Sequence, residues 1–428
     1  MSTKADFRPL FTRTTLFALA VGMSGPFLTL YALSLGADSI DLGLLQAALN
    51  MVPNVLQFPF GRLTDRFGRK KLILYIGSVI YFSIFIPILY VFTPKQYVLL
   101  LSIQSTANAM MTPAWLSLVG DATTMENRAG TMARLNLLNG IGTLSATLFT
   151  SFFVYSLFRN EVEGYKFMFI SSAIFGLFAL ISVYFIEEPK TKAIKETTNS
   201  FGGVFKIVRE NPPFAQFILV SSIYGFFMSM SWPLQGLTQA KIHNAGVLEF
   251  GIMQISNLSA YILAQNVFRH VFDRAGRVPV LVFAKFGLIT FPLAFAFSPS
   301  ITYLYFANFA VGVFSALSDT AILAYLFDVT PSGQRGVHIS LYNLAVGTSY
   351  FLGSVTGGML VALGLPIFAL AVSLQFVYII SALGRGASAL LHHRLIEIRQ
   401  SQTTLKEALL EELHINSPKR IRQPDSTH

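Results

Sequence analysis

The feature that most limits how this chain can fold is a succession of apolar blocks, each about 20 residues long and almost free of charge. A helix of about 20 apolar residues is long enough to cross a hydrocarbon core about 30 Å thick. Only 12% of the 428 residues are charged, whereas a typical soluble protein has about 25%. The sequence therefore predicts an all-α integral membrane protein that crosses the bilayer many times.

The apolar blocks number twelve, and we assign each of them to one membrane-spanning helix. Of the 31 Lys and Arg, only Lys95, Arg159, Lys166 and Lys241 fall in loops on the side opposite the termini, and Lys285 falls inside a span. By the positive-inside rule, both termini are therefore expected in the cytoplasm, with the protein in the plasma membrane. The predicted spans cover residues 13–35, 40–60, 72–93, 97–120, 132–157, 164–186, 213–240, 247–269, 279–298, 302–327, 337–362 and 365–386.

A polar stretch separates the first six spans from the last six. It is charged and bordered by Pro, and it is too polar to enter the bilayer. We therefore predict an N-terminal six-helix bundle over 1–186, a cytoplasmic linker over 187–212, a C-terminal six-helix bundle over 213–386 and a cytoplasmic amphipathic tail over 387–428. The first block is long for a signal peptide and lacks a clear cleavage site, so it counts as the first span.

An internal repeat relates the two halves. The loop after span 2 reads GRLTDRFGRKK over 61–71, and the loop after span 8 reads RHVFDRAGR over 269–277, so that the pattern Asp-Arg-x-Gly-Arg recurs 208 residues later. Asp121, Arg128, Asn136 and Gly140 recur 207 residues later as Asp328, Arg335, Asn343 and Gly347, and Gln46 and Gln57 recur 208 residues later as Gln254 and Gln265. The chain is therefore predicted to contain two six-span units of the same orientation.

With these motifs the sequence resembles the major facilitator superfamily of secondary transporters. The resemblance covers residues 11–385 and rests on the loop pattern G-x-L-x-D-R-x-G-R-K; the second copy departs from it, with Arg269 where the first has Gly61. It implies two parallel six-helix bundles that enclose a site near the membrane midplane and rock between outward-open and inward-open states. It also implies transport of a small-molecule substrate without a cofactor.

The loop motifs have the chemistry of a conformational latch. The resemblance implies that Asp65 approaches the N-terminal end of span 11, where free N–H groups favour a carboxylate, and that Arg69 and Arg66 join Asp121 in a charge network. The alternative is that these arginines only follow the positive-inside rule. The residues assigned to the latch are Gly61, Asp65, Arg66, Gly68, Arg69, Asp121, Arg128, Asp273, Arg274, Gly276 and Arg277.

Polar residues at helical spacing mark the faces of several spans that turn away from lipid. Spans 2, 4, 7, 8 and 10 have such faces, and the resemblance implies that spans 1, 4, 7 and 10 surround the central cavity. The candidate substrate or coupling residues are Gln104, Asn108, Trp115, Tyr224, Ser231, Trp232, Gln235, Tyr305, Asn308 and Asp319. The alternative for each polar group is hydrogen bonding between helices, worth about 1 kcal/mol.

Two ionisable residues are predicted to lie inside spans. Asp319 precedes Asp328 by nine residues, which places it about 14 Å from the cytoplasmic end of its helix and close to the midplane. A carboxyl at that depth suits proton coupling or cation binding. Lys285 is predicted about 9 Å deep, from where it could reach the interface or pair with Asp319. The sequence leaves open whether Asp319 titrates or forms a structural ion pair.

The predicted function is secondary active transport of a small organic solute, driven by a proton or substrate gradient. Few charges are buried, so lipophilic or singly cationic substrates are expected and drug-type efflux is preferred to sugar uptake. The chain has no GxxxxGK[ST] motif and no Cys, and the adjacent His392 and His393 do not share a helical face. Hence no enzyme, cofactor, metal site or nucleic-acid partner is expected, and the protein is expected to be monomeric. The alternatives are an uptake permease for sugars or other metabolites, a lipid translocase, and a non-transporting protein on the same fold.

Overall fold

The chain folds into helices throughout the part that the structure, a computed structural model, describes. The described residues are 7–67, 69–123, 127–158, 161–186, 188, 208–268, 271, 275–331, 335–398 and 403–412. The long helices are α1 Arg8–Ser34, α2 Ser39–Phe67, α3 Lys70–Ile88, α4 Pro94–Ala122, α5 Arg128–Leu157, α6 Glu161–Tyr184, α7 Pro212–Ile242, α8 Val247–Val267, α9 Arg277–Ala296, α10 Ile301–Val329, α11 Arg335–Gly364 and α12 Leu370–His392, followed by the short α13 Leu405–Glu412.

Each predicted span corresponds to one of the long helices. Ten of them are long and apolar enough, by length and composition alone, to cross a membrane. The other two, α2 and α4, are each 29 residues long, but they contain more polar side chains. α2 packs between α4 and α11, and α4 packs against α2 and α3, so other helices shield much of their surface from lipid.

The two halves pack in the same way, as expected for a repeat. In the first half α1 contacts α5 and α6, while α4 contacts α2 and α3. The equivalent pairs are in contact in the second half, where α7 packs on α11 and α12 and α10 packs on α8 and α9. The halves meet along two seams, α2 with α11 and α5 with α8. We call the side where α1 begins and α12 ends the terminal side, and the other the distal side.

The seams are tight on the distal side. The hydroxyl of Ser39 donates a hydrogen bond of 2.9 Å to the carbonyl of Gly358, where α2 begins and α11 ends. A Cβ added to Gly43 would lie 2.8 Å from the carbonyl oxygen of Ser354. Glycine therefore lets the two backbones approach more closely than larger residues would allow.

On the terminal side α2 and α11 are separated by a cleft of about 540 Å³. Its walls are apolar except for Arg62, whose guanidinium lies 4.2 Å from the ring centroid of Phe58, and Ser340. The cleft is lined by Val55, Leu56, Phe58, Pro59, Arg62, Leu63, Val337, Ser340, Leu341 and Leu344. The halves are thus in contact distally and separated by a cleft between α2 and α11 on the terminal side.

Four of the long helices are interrupted: α1 at Gly25–Phe27, α3 at Ile84, α7 at Ser231 and α9 between Gly287 and Thr290. The interruptions of α7 and α9 lie in the second half. The first part of α7 ends at Met230, and the helix resumes at Trp232 with Pro233 in its first turn. The first part of α9 ends at Gly287 and the helix resumes at Thr290, shortly before Pro292. A proline has no N–H to donate to the carbonyl four residues earlier, so each interruption leaves backbone acceptors that need another donor.

The substitution Gly358→Leu is expected to hold the distal side open, because its side chain would meet the backbone of Ser39. We expect the distally open population to rise about tenfold, the change that about 1.4 kcal/mol produces. The chain has no Cys, so spin labels at Asp38→Cys and Leu365→Cys report the distal distance by pulsed EPR.

The matched control is Gly130→Leu on α5, where an added Cβ meets no described atom within 4 Å. It should leave the distance distribution unchanged. A Gly358→Leu protein with the parental distribution would contradict the assignment of this seam as the distal closure.

Candidate functional site

The membrane helices bury more ionisable side chains than the sequence analysis predicted. Besides Lys285, the structure buries Arg385 (1% exposed) and His392 (0%) within α12, and Arg13 (5%) within α1. The expectation of only two ionisable residues inside spans was therefore wrong. Arg13 and Arg385 stand at the ends of the predicted spans 13–35 and 365–386, where a charge was interpreted as the membrane boundary, whereas α1 begins at Arg8 and α12 continues to His392.

Arg385 forms hydrogen bonds to the interruptions of both α7 and α9. Its Nη1 donates to the carbonyl of Leu288 at 2.9 Å, which is the carbonyl four residues before Pro292. Its Nη2 donates to the carbonyl of Met228 at 2.8 Å and to the hydroxyl of Ser231 at 2.6 Å. A guanidinium presents several N–H donors in a fixed plane, so one side chain can satisfy acceptors on two helices.

Tyr224 donates a hydrogen bond to a second carbonyl at the interruption of α9. Its O–H donates to the carbonyl of Lys285 at 3.1 Å, and that carbonyl is free because the N–H of Ile289 bonds to Phe286 instead. The Nζ of Lys285 lies 4.2 Å from the centroid of the Tyr224 ring, in cation–π geometry. The ring of His392 stands perpendicular to the same ring, with centroids 5.7 Å apart.

Asp319 is exposed, and it lies on the inner side of the second half. Its Oδ2 accepts a hydrogen bond of 3.2 Å from the hydroxyl of Tyr261 on α8. It also interacts electrostatically with Lys285 on α9 and with Tyr342 and Tyr350 on α11. Because α8 and α11 are the helices that meet the first half, the carboxylate between them faces the interface of the two halves.

Lys285 and Asp319 attract each other without direct contact. Among the described residues, Nζ of Lys285 forms no salt bridge and no hydrogen bond, and its nearest assigned partner is the ring of Tyr224. The sequence left a structural ion pair open as one alternative, and the structure has none within 4.0 Å. The carboxylate is thus available to other partners.

The predicted residues of α7 point in different directions. Tyr224 and Ser231 contact α9 and α12 inside the second half. Trp232 packs instead against Tyr350 of α11, with ring centroids 4.8 Å apart. Gln235 lies one turn beyond Ser231, and its Nε2 is buried without a hydrogen-bond partner among the described residues.

The predicted residues of α4 contact neighbouring helices of the first half. Gln104 donates to the carbonyl of Tyr81 on α3 at 3.1 Å, and Asn108 is half-buried. The ring of Trp115 lies 4.2 Å from Cζ of Arg13 on α1. The sequence could have suggested this last contact only if the apolar block of α1 had been extended across Arg13.

Tyr305 and Asn308 belong to the contact between α10 and α8. The carbonyl of Tyr305 accepts a hydrogen bond from Ser256 at 2.8 Å, and that of Asn308 accepts one from Asn257 at 3.1 Å. The ten predicted substrate residues therefore do not form one cluster. The structure places Asp319 and Trp232 beside seam helices and surrounds most of the others with helices of their own half.

The described parts of the two loop motifs make equivalent contacts. Lys70 forms an ion pair with Asp121 in the first half. In the second half Nε of Arg277 donates to Asp328 at 3.2 Å. Gly276, immediately before, has a φ of +82°, a conformation that favours glycine.

Two acids that the sequence analysis did not select cap the helices after these loops. Glu188 accepts from the backbone N–H of Lys71 at 3.1 Å, and Glu397 accepts from that of Val278 at 2.7 Å. Carboxylates at helix N-termini are favourable because free N–H groups and the helix dipole point toward them. The near-equal spacing of the two acids, 209 residues, is the signal that would have identified them.

The structure places the remaining latch residues as follows. Gly61 lies on α2, where an added Cβ would be 3.8 Å from Pro113, and Arg69 is exposed between α2 and α3. Gly68, Asp273 and Arg274 lie outside the described residues, as do the side chains of Asp65, Arg66 and Arg128. The described latch contacts are therefore contacts within one half.

Two groups outside the membrane helices have shifted pKa values. Burial lowers the pKa of His243, whose Nε2 lies 2.6 Å from the hydroxyl of Ser298 at the distal end of α7. Hydrogen bonds from the backbone N–H and side chain of Thr404 lower the pKa of Glu407 at the start of α13. Neither group contacts Asp319.

A family model described as Major Facilitator Superfamily matches residues 10–233 and 217–412. The chain belongs to the major facilitator superfamily. An uncharacterized transporter of this type from Methanocaldococcus jannaschii is 22% identical over 354 residues, which is 80% of this chain and 87% of that protein. The fold is similar to the crystal structure of the nucleoside transporter NupG, with a TM-score of 0.70, 15% identity and coverage of 91% of this chain and 99% of that one.

A shorter match relates part of the chain to a drug transporter. Multidrug resistance protein MdtG of Salmonella typhimurium is 34% identical over 109 residues, covering 24% of this chain and 27% of that protein. Family membership makes this chain a multi-pass membrane transporter for a small-molecule substrate. The relatives are transporters rather than enzymes.

Replacing Tyr224 by Phe is expected to destabilise the protein by about 1–3 kcal/mol, because the carbonyl of Lys285 would lose its donor inside the bilayer. Thermal unfolding of the purified transporter measures the effect. The control Tyr303→Phe removes a hydroxyl from an exposed tyrosine (45%) and should leave the unfolding temperature unchanged. Equal unfolding temperatures for the two variants would contradict the role given to Tyr224.

Proposed function

We propose that this protein is a proton-coupled secondary transporter of a small organic solute, working by alternating access, with Asp319 as the coupling carboxyl. The observation that carries the proposal is the position of this exposed carboxylate between α8 and α11. It accepts one hydrogen bond from Tyr261 and faces the buried Lys285 without a direct ion pair. Family membership supplies the general function on which the proposal builds.

Proton binding is coupled to conformation through the attraction between Asp319 and Lys285. The charge of Asp319 stabilises the buried ammonium of Lys285, and a proton on Asp319 removes that stabilisation. Protonation therefore changes the relative stability of conformations that differ in the distance between the two groups. The titratable and charged groups around Asp319 are Tyr261 on α8, Lys285 on α9, Tyr342 and Tyr350 on α11 and, behind Lys285, Tyr224 on α7 and Arg385 and His392 on α12.

We assign the terminal side to the cytoplasm, following the distribution of Lys and Arg. The described conformation is then inward-facing, because the distal seam is closed and the cleft between α2 and α11 lies on the terminal side. Transport would require the bundles 1–186 and 213–386 to rock about these seams. We place the transporter in the plasma membrane as a monomer.

Efflux of lipophilic or singly cationic compounds of the drug type is the preferred form of this activity. Asp319 is an exposed anionic group that interacts electrostatically with Tyr350, whose ring packs against Trp232, and anionic and aromatic groups both attract such cations. The partial similarity to a multidrug resistance protein points the same way. Uptake of a sugar or another metabolite is the alternative within the same mechanism.

A second candidate activity is the translocation of lipids. The observation that favours it is the apolar cleft of about 540 Å³ between α2 and α11, with Arg62 as its charged lining residue. Proteoliposomes that flip a fluorescent phospholipid but do not move soluble solutes would favour this activity over solute transport.

Asp319→Asn is expected to abolish proton-driven transport. In everted membrane vesicles with an imposed pH gradient, we expect the rate of ethidium movement to fall at least about tenfold, the effect of losing about 1.4 kcal/mol of coupling. Asp319→Glu should keep part of the activity, because it retains the carboxyl. The control Glu163→Gln neutralises an exposed acid on α6 and should behave as the parent.

Two outcomes would contradict the proposal. One is an Asp319→Asn protein with parental rate and parental pH dependence. The other is a parent protein that moves neither ethidium nor any sugar, amino acid or nucleoside identified by ligand-induced thermal shifts.

The latch is tested by Asp65→Asn. We expect slower transport with normal surface expression, because the neutral side chain interacts less strongly with a helix N-terminus. Immunoblotting of isolated membranes controls for expression, and Asp41→Asn on the distal end of the same helix is the matched variant. Unchanged transport kinetics in Asp65→Asn would mean that this carboxylate is not part of a latch.

A further inference from the structure

We propose that Arg385 is a positioning residue for the coupling of Asp319: it ties the interruption of α7 to that of α9, so that the distal segment of α7 and the backbone at Lys285 move together. The proposal rests on the proposed role of Asp319. It assigns to Arg385 a mechanical link between the distal closure and the charge that faces Asp319.

The hydrogen bonds of Arg385 go to the interruptions themselves. Pro292 has no N–H to donate to the carbonyl of Leu288. The carbonyl of Met228 and the hydroxyl of Ser231 border the point where α7 changes from one helical segment to the next. A buried guanidinium without an acidic partner is costly. The three acceptors offset that cost. The carbonyl of Met228 also accepts a hydrogen bond of 3.1 Å from the hydroxyl of Ser231, whereas the carbonyl of Leu288 cannot receive one from Pro292.

Both segments joined by Arg385 lead to functional parts of the molecule. On α7, a Cβ added to Gly236 would meet Thr29 of α1, so the segment after the interruption packs against the first half on the distal side. On α9, Leu288 lies less than one turn after Lys285, whose ammonium interacts with Asp319. The Arg385 side chain thus connects the distal segment of α7 to the backbone near Lys285, whose ammonium interacts with Asp319.

A neighbouring hydrogen bond provides the matched control. Ser381 lies one turn before Arg385 on α12 and donates to the carbonyl of Phe227 at 2.6 Å. This bond joins the same two helices, α12 and α7, but its acceptor lies before the interruption of α7 and it does not reach α9. If Arg385 only held α12 against α7, replacing it should have the same effect as replacing Ser381.

Trp232 can report the movement directly, because it follows Ser231, to which Arg385 is bonded. The chain has two tryptophans, and Trp115→Phe leaves Trp232 alone. The experiment follows Trp232 emission in lipid nanodiscs from about pH 3 to about pH 9, a range that includes the ordinary titration of carboxyl and histidine groups. Protons are the only ligand that this measurement requires.

In the Trp115→Phe parent we expect an emission change with pH that disappears in Asp319→Asn. Arg385→Met should reduce its amplitude at least about fivefold, the lower end of measured coupling between sites. Arg385→Lys, which can still donate to one interruption, should keep an intermediate amplitude. Ser381→Ala should keep the parental amplitude, although it too removes a bond between α12 and α7.

Pro292→Ala separates positioning from stability. It gives residue 292 an N–H for the carbonyl of Leu288, so in the Arg385→Met background it should restore part of the lost thermal stability. It does not restore the link between α7 and α9, so the pH response should stay reduced. If Arg385→Met alone does not fold, this double variant and Arg385→Lys provide the measurement.

Three outcomes would overturn the role of Arg385: a parental amplitude in Arg385→Met, an equal loss in Ser381→Ala, or recovery of the response together with stability in the Pro292→Ala double variant. Different results would contradict the proposed function. A response that persists in Asp319→Asn would refute coupling through Asp319, and a parent without any response would overturn both proposals.

Discussion

The constraint on which this structure depends is that a backbone carbonyl inside a bilayer has no water to bind. Regular helices satisfy their carbonyls internally, but the interruptions of α7 and α9 free several of them. Each freed carbonyl is satisfied by a side chain from another helix, so the interruptions bind the second half together. The donors are Ser354 to the carbonyl of Ser229, Tyr224 to that of Lys285, and Arg385 to those of Met228 and Leu288.

The sequence was sufficient to predict the twelve long helices of the described residues, ten of which are long and apolar enough to cross a membrane, and their repeat. Hydrophobic length determines how many segments can cross a bilayer, and this signal does not depend on tertiary contacts. The matching offsets of the two loop motifs predicted two similar halves, and the same helix pairs are in contact in both. In both halves a basic residue at the end of the loop motif pairs with the acid of the next loop, Lys70 with Asp121 and Arg277 with Asp328, although the motif offset of 208 makes Arg277 the equivalent of Arg69.

The arrangement of the site could not be predicted in the same way. Helical spacing indicates which side chains share a face, but it does not identify the helix that this face meets, so Gln104 and Tyr224 were expected at the cavity and instead bond to α3 and α9. A charge near the end of an apolar block is usually read as the membrane boundary. Arg385 and Arg13 are exceptions because carbonyls in one case and aromatic rings in the other surround them.

The two sides of the molecule are held by different kinds of contact. The distal seam uses close backbone approach and a bond between Ser39 and Gly358, whereas the loops on the terminal side are tied by ion pairs such as Lys70 with Asp121. Dissolved salt has little effect on neutral contacts and screens ion pairs less the more they are buried, and the side chains of Lys70 and Asp121 are only 10% and 22% exposed. The ionic strength of one compartment would therefore act only weakly on the loops at one entrance of the transporter, through their exposed charges, and leave the opposite closure unchanged.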